Sequence, residues 1–294
     1  MFRGSIVALV TPMTDQGRID EAAWQDLLEW HLASGTDGVV VAGTTGESAT
    51  LTREEFSWLL SSAVEGLSGK LAVLAGTGSP STTQTIERTR LAATLGADAA
   101  LVVTPSYNRP SQRGLEAHFL AVADASPLPV VLYNVPSRTA VDLLPETSLR
   151  LAAHDRIVAI KEAVGDADRV AILVGGGMVV LSGDDPTCCE RMLAGAQGVV
   201  SVAANVIPRQ MARICELALA GEVLAAQAEN ARIDSLYRFL SIEANPVPVK
   251  WLLHRMGRIG SAIRLPLVEL DERFRGQADT LVDDLKLDVI TDPA

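Results

Sequence analysis

Eight short apolar runs, rich in β-branched residues, recur along the first two hundred positions. They are Ile6–Val10, Val39–Ala42, Leu71–Ala75, Ala99–Val103, Val130–Tyr133, Ile157–Ile160, Val179–Leu181 and Val199–Val202. Each is continuous rather than alternating, the pattern of parallel strands covered on both faces. Segments of helical period lie between them. Asp20–Ala33 repeats Ala23, Leu27, Leu28 and Trp30 at helical spacing. Thr52–Leu67 opens with Thr52 and Glu55, a capping-box pair. Ser81–Leu95 runs into Gly96, a helix-ending glycine, and Ser111–Ala125 and Pro145–Ala153 follow the same logic. The segments 161–178 and 182–198 are tight but have room for a short helix each.

This alternation predicts an α/β fold, a (β/α)8 TIM barrel. An open doubly wound sheet is the alternative. No Gly-x-Gly-x-x-Gly follows the first strand, which weakens a dinucleotide-binding form of it. After about residue 222 the strand signal stops, and Val223–Ile242, Pro248–Met256 and Leu267–Leu285 predict helices. The expected organisation is a barrel over 1–222 and a C-terminal helical extension over 223–294.

Composition narrows the function. The chain is 48% hydrophobic and 4% aromatic, so it buries a full core built from Val, Leu, Ile and Ala, and disorder is excluded. Its 25 basic and 36 acidic residues leave a net charge of −11, which repels nucleic acid and anionic lipid. A small anionic substrate in a local basic pocket is still allowed. The longest apolar stretch, Val170–Leu181, is too short to span a bilayer. The N-terminal MFRGSIVALV does not read as a signal peptide. Three cysteines, two of them adjacent (Cys188, Cys189), form neither a disulfide framework nor a zinc pattern, so a reducing cytoplasmic location is expected. The four histidines (31, 118, 154, 254) are scattered, and neither a metal nor a cofactor is expected.

Barrel chemistry sits where strands end. The sixth run passes directly into Lys161. A lysine partly withdrawn from water has its ammonium form disfavoured and becomes a nucleophile suited to Schiff-base chemistry. The competing reading is a structural lysine paired with Glu162. Tyr133 and Tyr107, two of only three tyrosines, fall at the ends of the fifth and fourth runs, as proton relays or as rim aromatics. Thr44 and Thr45 lie in a glycine-flanked turn that offers N–H groups and hydroxyls to an anion, or that is simply a turn. Arg138 lies two residues after a Pro and is placed to hold a carboxylate, unless it is merely solvated. Asp184-Asp185 reads as a strand-end turn and helix cap before Pro186 rather than as a Mg²⁺ site.

Gly43-Thr44-Thr45-Gly46-Glu47, Tyr133-Asn134-Val135-Pro136-Ser137-Arg138-Thr139 and Ile160-Lys161-Glu162-Ala163 together resemble the signatures of the pyruvate-dependent class I aldolase superfamily, nearest its dihydrodipicolinate synthase family. The resemblance runs from Phe2 through Asn108–Gln112 and Leu181–Asp185 to Asn245–Lys250, essentially the whole chain. It implies a lyase of diaminopimelate and lysine biosynthesis that joins pyruvate to L-aspartate 4-semialdehyde. In that scheme Lys161 forms an imine with pyruvate, and Tyr133, Thr44 and Tyr107 carry protons. Thr45 and Val200 hold the pyruvate carboxylate and nearby groups through their backbone, Gly183 lines the pocket, and Arg138 grips the substrate carboxylate. Tyr107 is expected to enter a neighbouring subunit's site, which implies a homo-oligomer, commonly a tetramer. At the positions of the lysine-inhibition site the chain has Phe56, Pro80, Gln84 and Ser106, which offer no carboxylate for a lysine ammonium. An aldolase for another 2-oxo acid and a catalytically dead barrel are the competing readings. Arg138 and the Thr44-Thr45 pair weigh against the first, and retention of Lys161 and Tyr133 against the second.

Overall fold

The computed structural model describes residues 2–290. Eight parallel strands close on themselves: β1 (Gly4–Ala8), β2 (Gly38–Val41), β3 (Ala72–Gly76), β4 (Ala99–Val103), β5 (Val130–Asn134), β6 (Ile157–Glu162), β7 (Val180–Ser182) and β8 (Gly198–Ser201). β8 pairs back to β1 from Gly4↔Gly198 to Val7↔Ser201. The open-sheet alternative is thereby excluded.

Residues alternate between two cores along every strand. Ile6, Ala8, Val40, Leu74, Leu101, Val131, Ala159, Leu181 and Val200 fill the barrel interior. Val7, Val39, Val41, Val73, Ala100, Val102, Leu132, Ile160 and Val199 face the surrounding helices. Both sets are apolar because both faces are covered, which is why the strands read as continuous runs.

The ring helices are α1 (Glu21–Ala33), α2 (Arg53–Leu67), α3 (Thr82–Thr94), α4 (Gln112–Ala125), α5 (Pro136–Thr139), α6 (Pro145–Leu151), α7 (Ala167–Gly175), α8 (Cys188–Leu193) and α9 (Pro208–Leu219). The Thr52–Glu55 capping box forms: Glu55 N–H donates to Thr52 Oγ1 and Thr52 N–H to the Glu55 carboxylate. The helices α10 (Val223–Arg232), α11 (Asp234–Leu240), α12 (Val247–Arg255) and α13 (Glu272–Asp284) follow. Their Leu236, Leu252, Leu253 and Ala278 belong to the same apolar cluster as the outer face of the barrel. Residues 291–294 of the expected extension lie outside the described residues.

Several boundaries differ from expectation for local reasons. The first run stops pairing as strand at Ala8, because Val10 N–H donates to the Asn205 side chain instead of to a neighbouring strand. The helix expected over Val223–Ile242 breaks at Ile233, which is non-helical (φ −109°, ψ 12°). The helix expected from Leu267 begins only at Glu272, where the Asp271 carboxylate caps Arg273 N–H. The short α5 was not anticipated; a four-residue helix has no periodicity to read.

Candidate active site

β5 and β6 pair with Tyr133 opposite Lys161. Parallel partners at one level point the same way, here into the barrel. Lys161 is 6% exposed, and its Nζ lies 4.2 Å from the centre of the Tyr133 ring. Alternation sends the next residue, Glu162, to the opposite face. There its oxygens accept from Asn134 Nδ2 at 3.1 Å and Val164 N–H at 2.8 Å, and Arg169 Nη1 lies 3.4 Å away. Burial pushes the Glu162 carboxyl up, against the opposing pull of these donors and Arg169. The reading of Lys161 as a structural partner of Glu162 is thus not what the geometry shows.

Room for the Lys161 stem comes from Gly183, just past β7. A Cβ there would lie 3.1 Å from both Lys161 Cγ and Cε and 3.0 Å from Ala163 Cβ. The following Asp184 accepts from Thr187 N–H and Oγ1, the turn expected of it, but it does not cap the helix: the N-cap of α8 is Thr187, which makes no side-chain cap bond. Asp185 Oδ2 accepts from Val202 and Ala203 N–H, while burial raises its carboxyl. Among the described residues no group of three or more His, Cys, Asp or Glu side chains is gathered to hold a metal ion.

The turn after β2 supplies the opposite wall. Gly46 N–H donates to Gly43 O and Glu47 N–H to Thr44 O, which folds Thr44 and Thr45 over the barrel mouth. Thr45 is buried, and its Oγ1 accepts from Asn245 Nδ2 at 2.9 Å. The turn is pinned from beneath. Glu47, in the left-handed region (φ +58°), pairs with Lys250 Nζ at 2.6 Å and accepts from Arg264 N–H at 3.0 Å. Asn245, Glu47 and Lys250 are supports to which the sequence reading assigned no role. The available signal was a lone lysine inside the apolar helical run Val247–Leu253.

Lys161, Tyr133, Thr44, Thr45, Gly183 and Arg138 line one cavity of about 370 Å³ at the C-terminal ends of the strands. Arg138 stands exposed on its rim, with Nη2 3.3 Å from Asn245 O. Two expected site residues are not brought in. Val200 is buried in the barrel interior and does not line the cavity. Tyr107 is 94% exposed, with φ +68°, and also lies outside the lining.

A barrel whose lumen presents an amine and a phenol at one level, with a cation at the rim, defines a lyase of the class I aldolase type. The chain matches the dihydrodipicolinate synthetase family over residues 1–285, and it belongs to that family. It is 52% identical over 277 residues to the 4-hydroxy-tetrahydrodipicolinate synthase of Thioalkalivibrio sulfidiphilus, covering 93% of this chain and 94% of the other. The same identity holds over 282 residues with the synthase of that name from Acidithiobacillus ferrooxidans, covering 94% of this chain and 97% of that one. Among solved structures, the chloride-inhibited dihydrodipicolinate synthase of Acinetobacter baumannii, complexed with pyruvate, superposes with a TM-score of 0.96. It is 45% identical and covers 98% of this chain and 100% of its own. No helix among the described residues is long and apolar enough to cross a membrane.

Proposed function

We propose that the chain condenses pyruvate with L-aspartate 4-semialdehyde, as a 4-hydroxy-tetrahydrodipicolinate synthase of diaminopimelate and lysine biosynthesis. The pairing of Lys161 and Tyr133 at one level of the barrel carries the reading. The Lys161 amine adds to the keto carbon of pyruvate, and the resulting carbinolamine loses water to give an imine. The imine loses a methyl proton and becomes an enamine. The enamine carbon attacks the aldehyde carbon of the second substrate, whose oxygen takes up a proton. The amino group of the adduct then attacks the imine carbon, closes the ring and releases Lys161. No cofactor enters this scheme.

Tyr133, against the amine, is the proton carrier for imine formation and release. Thr44 at the mouth and Tyr107 of a neighbouring subunit complete the relay. The nearly full exposure of Tyr107 in the single chain supports such a contribution across an interface. Thr45 holds the pyruvate carboxylate, with Gly183 shaping the pocket below. Arg138 at the rim takes the carboxylate of the semialdehyde. The working assembly is a homotetramer built from such dimers, located in the cytoplasm. In each subunit, residues 1–222 form the catalytic barrel and residues 223–294 the helical region.

Incubation with pyruvate followed by borohydride reduction should fix one pyruvate-derived adduct on Lys161, located by mass spectrometry. Absence of the adduct, or its presence on another lysine, overturns the mechanism. Lys161→Ala should lose most activity while keeping its circular dichroism.

A further inference from the structure

We infer that Asn245 is a positioning residue that aims the Thr45 hydroxyl into the cavity for the keto-acid carboxylate, while its main chain steadies Arg138 for the second substrate. The inference deepens the pocket reading proposed above and rests on it. A hydroxyl has one proton and two lone pairs. One lone pair of Thr45 Oγ1 is engaged by Asn245 Nδ2 at 2.9 Å. Among the described residues the hydroxyl has no acceptor of its own, so its proton is left to donate to a group in the cavity that Thr45 lines. The second contact of Asn245 uses its main chain: its carbonyl accepts from Arg138 Nη2 at 3.3 Å. One residue thus joins two mouth loops that lie 200 and 107 positions away. It does so with different atoms, side chain for Thr45 and backbone for Arg138. A third tether lies close by, because α12 begins just after Asn245 and its Lys250 pairs with Glu47 of the same turn.

The division of labour makes the two substrates separable by one substitution. Asn245→Ala removes the amide donor and keeps the carbonyl. In steady-state assays of the whole enzyme its KM for pyruvate should rise about five- to tenfold, with kcat and the semialdehyde KM within about twofold of wild type. Half-maximal borohydride trapping should shift to higher pyruvate by the same factor. Asn245→Asp is isosteric, yet it replaces the donor with an acceptor and adds negative charge facing a carboxylate. Its pyruvate KM should rise further than that of Asn245→Ala. Lost packing predicts the reverse order, so the pair separates positioning from structure, and the Asp variant answers the question if the Ala variant does not fold. An unchanged pyruvate KM in the folded variants overturns the inference, as does an equal rise in both KM values or a fall in kcat alone. If wild type forms no Lys161 adduct, the functional reading itself fails. If wild type forms it and the variants trap pyruvate as wild type does, only the role of Asn245 fails.

Discussion

Replacing Lys250 by Met removes one partner of an ion pair whose side chains are each about 2% exposed. Glu47 is left with Arg264 N–H on one oxygen and nothing on the other. Breaking a buried pair from one side costs about 3–5 kcal/mol, because the remaining charge is neither paired nor hydrated. Lys250→Met should therefore lose about 3–5 kcal/mol relative to wild type at pH 7. Adding Glu47→Gln removes the stranded charge and should return most of the loss. Urea unfolding of wild type, both single variants and the double variant, at one protein concentration and pH 7, measures all of this. A penalty below about 1 kcal/mol, or one that Glu47→Gln does not relieve, would refute the claim that the pair is a dry strut beneath the Thr44-Thr45 turn.

Gly183→Ala brings a methyl to about 3 Å from the Lys161 stem. It should slow borohydride-trapped adduct formation about tenfold or more through misplacement of the amine, while shifting stability by less than about 2 kcal/mol; trapping at the wild-type rate would remove Gly183 from the argument. L-Lysine should inhibit weakly or not at all, because Pro80 and Gln84 provide no carboxylate for its ammonium; inhibition below millimolar concentration in a kinetic assay contradicts this. Burial holds His31 down to about 3, with Arg258 adding to the effect, and holds His118 down to about 4. The unfolded chain binds these protons near pH 6.5 and the folded one does not, so their contribution is full above pH 6.5 and declines as pH falls toward those values. Each should cost about 2 kcal/mol between pH 7 and pH 5, and His31→Gln should flatten the urea-midpoint profile over that range.

The barrel was legible because a strand buried on both faces cannot alternate. The unbroken runs at Val39, Ala99 and Val130 therefore specify parallel, enclosed pairing before any contact is known. Lys161 was legible as a charge that ends such a run. Its separation from Glu162 was not, since only the strand's own pleat shows that neighbours in sequence face opposite layers. Asn245 and Lys250 fall in the Asn245–Lys250 segment that carries the family resemblance, but nothing in the sequence gives either one a task. Their partners, Thr45 and Glu47, lie about two hundred residues away, and nothing local encodes a contact at that range. The split at Ile233 was invisible because helical period continues through it, while a change in backbone angles at one residue turns the chain. Tyr107 lies four residues past the end of β4, and its exposure away from its own barrel follows the family resemblance rather than anything local in the sequence.

The equal height of Tyr133 and Lys161 is set by the hydrogen-bond ladder between two adjacent strands. Arg138 and the Thr44-Thr45 turn belong to connections that descend from separate strands. The amine–phenol pair and the Arg138 cation are therefore mounted on different hardware. Residues inserted or deleted in the connection beyond Arg138 should reshape the rim without moving Lys161 relative to Tyr133. A designer who grafts a new rim there, leaving the Thr44-Thr45 turn in place, keeps the lumen pair at its level.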